Sequence, residues 1–170
     1  VVSGNSNYEL PQCIKKISAK NHEAMYQSIV SNIENNDIYI SAAAISDYKP
    51  SYTKGKIKKG SNLISIDLEK TKDILSYVGE NFSHKFLVGF AAESENVVEN
   101  GKNKLLSKNL DIVIGNEIKE SMGKTKASMV IIDHDKNTIL PKAEKDIQSR
   151  IILEYIFKLL SKEKAHDTIN

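Results

Sequence analysis

The chain has 170 residues, 40% hydrophobic and 27% charged, with a formal net charge of +2. That balance belongs to an ordinary globular domain and gives no general electrostatic case for a nucleic-acid partner, so any positive site must come from local clustering. Cys13 stands alone, which excludes an intramolecular disulfide, and no apolar run approaches a membrane span; a cytoplasmic home without membrane contact is expected.

In chain order, residues 1–3 read as the end of a strand, followed by a loop through Pro11 and a short strand over 14–17. Met25, Ile29 and Ile33 recur at four-residue spacing, which predicts a helix with Asn21 as its N-cap. "DIYISAAA" (37–44) suits a buried parallel strand. The loop after it carries Lys49, Lys54, Lys56, Lys58 and Lys59 and leads into "NLISIDL" (62–68), whose alternation predicts a half-exposed strand. "TKDILSYVGENF" is helical, with Thr71 as the expected N-cap. "KFLVGFAAE" (85–93) reads as a second buried strand, and a helix over 95–108 presents Val97, Gly101 and Leu105 on one side. "LDIVIGNEI" (110–118) is a third buried strand. Two strands around the turn "HDKN" and a last helix over 145–162, with Ile151, Ile152, Tyr155, Ile156 and Leu159, complete the chain. The pattern predicts an α/β fold: a Rossmann-like three-layer α/β/α domain with a mainly parallel central sheet and a C-terminal hairpin plus helix.

In such sheets ligands bind at the carboxyl ends of the strands. The three buried strands end in "AAAISD", "GFAAE" and "IGNE", passing from apolar to small or polar residues and offering Asp47, Glu93 and Asn116 as polar handles. Small side chains there serve close helix packing as well as ligand approach, and three such ends together favour a site. "KGKIKKG" fits a solvated loop or a mobile basic flap over a phosphate chain. Lys104 and Lys108 share a helix face, and the start of the helix at "TKDIL" offers free N–H groups to an anion. Neither standard glycine-rich phosphate fingerprint is present, and the four histidines show no metal-ligand spacing. The residues alone point to a domain that binds an anionic, nucleotide-like ligand.

"AAAISDYKP", "KIKK", "VGFAAE" and "KNLDIVIGNEI", in this order and spacing, closely resemble the phosphopantothenate–cysteine ligase family, the synthetase half of the bacterial bifunctional coenzyme A biosynthesis flavoprotein. The opening "VVSGNSNYELP" also fits, so the resemblance runs over nearly the whole chain, a single domain over 1–170. It implies that CTP activates 4'-phosphopantothenate as an acyl-cytidylate with Mg²⁺ assisting, and that L-cysteine then displaces CMP. Matched to the family's motifs, Asp47, Phe90, Lys104 and Lys108 would contact the nucleotide. Lys56, the first lysine of "KIKK", would be the flap lysine required for activity, and Lys72, Asp73, Ile74 and Leu75 match a "PDIV"-like turn in which Lys72 replaces proline. Ala43, Ala44 and Asn116 would lie beside the acyl group; the resemblance leaves the metal ligands unassigned. It also implies a homodimer, with "NLISIDL" as a candidate contact, and an assembly with a flavin-dependent decarboxylase, no FMN being expected here. The family's N-terminal glycine-rich strand turn and "ISNxSSGKMG" segment have no counterpart in the chain, from which weak CTP binding and poor turnover are expected. A non-catalytic nucleotide-binding module and a dinucleotide-dependent oxidoreductase are the alternatives.

Overall fold

A computed structural model describes residues 1–6, 8–52, 54, 55 and 65–167, with side chains to Ser161. The expected flap lysine Lys56 and the first half of "NLISIDL" therefore lie outside the described residues.

The centre is a five-stranded sheet. In chain order its strands are β3 (Ile38–Ser41), β6 (Phe86–Glu93), β7 (Ile112–Glu117), β8 (Lys126–Ile132) and β9 (Asn137–Glu144), hydrogen-bonded in that order. The β3, β6 and β7 strands run parallel, and β8 and β9 add an antiparallel hairpin. β1 (Val2–Ser3) and β2 (Ile17–Ser18) form a separate parallel pair, and β4 (Tyr48–Pro50) pairs with β5 (Leu68–Lys70) as an antiparallel ribbon.

Strand alternation divides the core into two layers. On one face Leu87, Ala91, Val113, Val130 and Ile132 pack against α1 (His22–Ile33), α2 (Ile74–Asn81) and α3 (Val97–Ser107). On the other, Phe86, Val88, Ile112, Ile114, Ile131 and Leu140 pack against α5 (Lys145–Asp167) through Ile152 and Ile156. The three-layer α/β/α reading holds. Met25, Ile29 and Ile33 are the buried face of α1, and the Asn21 side chain accepts from the Ala24 amide as the expected cap.

Four expectations need correction. β3 is parallel but not buried: Ile40 is 41% exposed, because β3 pairs only with β6 and its other edge borders an apolar groove of about 530 Å³ lined by Val2, Ile17, Ile29 and Ile38. Ala42, Ala43 and Ala44 lie beyond that strand and are exposed. The strand expected over 62–68 begins, among the described residues, only at Leu68, where the chain meets Pro50 of β4. Thr71 does not cap α2; its hydroxyl donates to the Ser46 carbonyl (2.7 Å), and Asp73 takes the capping role. A short α4 (Ile118–Ser121), not anticipated, follows β7.

Candidate functional site

The carboxyl ends of β3 and β6 open into a pocket of about 280 Å³, close to the lower bound of small-molecule sites. Its floor is the loop from Ser41 to Asp47, which brings in Ala43, Ala44 and Asp47. The turn into α2 supplies Lys72, Asp73, Ile74 and Leu75; β6 supplies Phe90; α3 reaches in with Lys104 and Lys108. Ten of the sequence-selected positions thus share one pocket. Asn116 is not among its lining residues: its amide donates to the Ser121 hydroxyl (2.5 Å), holding α4 to the end of β7.

Hydrogen bonds fix the walls. The Thr71 amide donates to the Asp47 carbonyl (2.8 Å) and the Thr71 hydroxyl to Ser46, so the loop after β3 is stitched to the segment entering α2. At α2 one Asp73 oxygen accepts from the Ser76 amide (3.0 Å) and the other from the Lys108 ammonium (2.7 Å). Burial works against charge on Asp73, yet the Lys108 and Ser76 hydrogen bonds outweigh it and hold the carboxyl below the usual carboxylate range. One turn earlier on α3, the Lys104 ammonium donates to the Phe90 carbonyl (2.8 Å). Desolvation and then the neighbouring Lys108 charge lower the Lys104 pKa from the ordinary lysine value. Two lysines side by side, one pressed toward neutrality, form a site that gains by receiving negative charge.

Lys72 lies at the pocket but sends its ammonium elsewhere. It sits 4.0 Å from the Tyr26 ring centre and 3.8 Å from that of Tyr77, and donates to the Tyr26 hydroxyl (2.5 Å). His22 Nε2 hydrogen-bonds the Lys72 carbonyl (2.6 Å). The clasp ties the start of α2 to α1 and sets the pocket wall through backbone position. No local signal announces it, since Tyr26 and Lys72 are 46 residues apart. Cys13, read as a small structural residue, is exposed. Among the described residues no group of three His, Cys, Asp or Glu side chains is placed to hold a metal, and no helix is long and apolar enough to cross a membrane.

Comparison with known proteins brings these features together. The chain is 33% identical over 161 residues to the coenzyme A biosynthesis bifunctional protein CoaBC of Borreliella burgdorferi, covering 92% of this chain and 41% of that protein. To the CoaBC protein of Haemophilus influenzae it is 38% identical over 120 residues, 69% of this chain and 30% of the relative. It therefore spans less than half the length of these curated relatives. Its fold matches the crystal structure of the C-terminal domain of a CoaBC protein with a TM-score of 0.79 at 28% identity, over 95% of this chain and 74% of that one. The family model of the DNA/pantothenate metabolism flavoprotein C-terminal domain matches residues 1–160, and the chain belongs to that family.

Proposed function

We propose that this domain carries out the CTP-dependent ligation of 4'-phosphopantothenate with L-cysteine in coenzyme A biosynthesis. The observation that carries the reading is the convergence of Lys104, Lys108, Asp47 and the amino end of α2 on one pocket floored by Ala43 and Ala44. Membership in the family and the naming of its relatives as coenzyme A biosynthesis proteins support it.

In this reading a carboxylate oxygen of phosphopantothenate attacks the α-phosphorus of CTP, and the bond to the β-phosphate oxygen breaks, releasing pyrophosphate. The amine of cysteine then attacks the acyl carbon, loses a proton, and expels CMP. No protein nucleophile is needed. Lys104 and Lys108 counter the charge that grows on the departing pyrophosphate, and the amino end of α2, which lines the same pocket, favours an anion there. The small side chains of Ala43 and Ala44 allow the acyl group to approach the backbone. Mg²⁺ entering with the nucleotide would suit phosphate oxygens plus one or two carboxylates, and of the two pocket carboxylates Asp73 is engaged with Lys108, leaving Asp47 as the one that would hold it. It would neutralise phosphate charge; positioning falls to the lysines and the α2 turn.

The test is product formation. Chain incubated with CTP, phosphopantothenate and cysteine should yield phosphopantothenoylcysteine and CMP by mass spectrometry, with ATP substituting poorly. CTP binding without product would leave a nucleotide-binding module, and a preference for NADPH would favour an oxidoreductase.

A further inference from the structure

The ammonium of Lys108 already has a partner. Asp73 lies 2.7 Å away, and the same carboxylate caps α2 through its second oxygen. A phosphate that reaches Lys108 must therefore share it with a carboxylate, or push that carboxylate aside. The pair is partly shielded, the Lys108 side chain being 21% exposed and that of Asp73 39%, so water does not erase the competition. The neighbouring Lys104 is held differently, its ammonium resting on the Phe90 carbonyl. Glu93 acts on Lys104 ahead of Asp73, and Asp47 after it, so the direct hold of Asp73 is on Lys108.

We propose that Asp73 is a built-in rival of the phosphate chain: a positioning residue whose carboxylate keeps Lys108 aimed at the pocket and weakens its hold on pyrophosphate enough for the product to leave. The anion-binding half stands on the geometry above; the product-release half rests on the ligase reading. The device follows the rule that interactions useful to a departing group must not trap it after the step. Without the carboxylate, Lys108 would meet a polyanion with no ion-pair partner of its own to displace.

The informative substitution is Asp73→Asn, because asparagine caps a helix about as well as aspartate while removing the charge. Titration calorimetry with inorganic pyrophosphate on the 170-residue chain should show Asp73→Asn binding roughly tenfold more tightly than wild type, the scale of one charge-assisted hydrogen bond. Lys108→Gln should bind more weakly, and adding Asp73→Asn to it should give no gain, since the gain runs through Lys108. In turnover, Asp73→Asn should lower the CTP KM and kcat together, the mark of slow product release; damage to the helix cap would raise KM and lower Tm instead. Equal or weaker pyrophosphate binding by Asp73→Asn overturns the proposal, as does a gain that persists with Lys108→Gln, or no pyrophosphate binding to either protein. The expected pyrophosphate series with no CTP-dependent product would sustain the rivalry and reject the ligase reading.

Discussion

Gly79 decides how closely α2 approaches the end of α3, and replacing it with alanine tests the site's scaffold. A Cβ at Gly79 would lie 1.8 Å from the Lys108 carbonyl oxygen and 2.8 Å from its carbon, where ordinary contact begins at 3.4 Å. The obstacle is backbone, so no side-chain rotation relieves it, and one helix must retreat by well over an ångström. Overpacking of this kind costs about 3 kcal/mol, the upper end of its usual range. The same change returns about 1 kcal/mol, because glycine is a poor residue inside a helix. The net expectation is a loss of about 2 kcal/mol, read from urea unfolding. Separating α2 from α3 also pulls Asp73 from Lys108, so pyrophosphate affinity should change in Gly79→Ala. Gly4→Ala is the control: its nearest neighbour is the Ala19 carbonyl at 3.9 Å, and stability should hold within about 0.5 kcal/mol. Gly79→Ala as stable as wild type, or more so, would refute the reasoning, for propensity would then have outweighed the clash.

Two more predictions follow from ionisable groups. Because burial and Lys108 lower the Lys104 pKa, the unfolded chain holds more protons between the folded and ordinary lysine values; stability should rise with pH across that window, while anion affinity should fall as pH passes the folded value. Calorimetry from neutral into alkaline buffer checks this, and Lys104→Arg, which stays charged, should flatten the dependence. Asp111 accepts from the Leu87 amide (2.6 Å) at the start of β7, so Asp111→Ala should destabilise by about 1–3 kcal/mol and Asp111→Asn by clearly less. Burial raises the Asp111 pKa, so its contribution should decline as pH rises from the ordinary aspartate value through the folded one, a trend that urea midpoints of Asp111→Asn should lack.

What the sequence revealed was what local spacing encodes. The Met25, Ile29, Ile33 period and the Asn21 cap are contained in one helix, and the continuous apolar runs of β6 and β7 are the mark of strands covered on both faces. Lys104 and Lys108 were visible as a pair because four residues make one turn. The failures share a cause in contacts distant along the chain. Thr71 has the chemistry of a cap, but its hydroxyl is taken by Ser46, 25 residues earlier, and Asp73 caps instead. "DIYIS" carries the composition of a covered strand, yet only neighbouring strands decide whether it is covered. The turn at residues 72–75 was legible as a helix start open to an anion and again through family resemblance, whereas the Tyr26–Lys72–Tyr77 clasp and the Asp73–Lys108 pair depend on how α1, α2 and α3 meet.

The most direct measurement is pyrophosphate release from CTP with 4'-phosphopantothenate present and cysteine left out, on the wild-type chain and on Lys108→Gln. Acyl-cytidylate chemistry predicts release that requires phosphopantothenate, does not require cysteine, and falls by about a hundredfold in Lys108→Gln, the usual loss for one donor that stabilises transition-state charge. Release that ignores phosphopantothenate, or that Lys108→Gln leaves unchanged, would contradict the account.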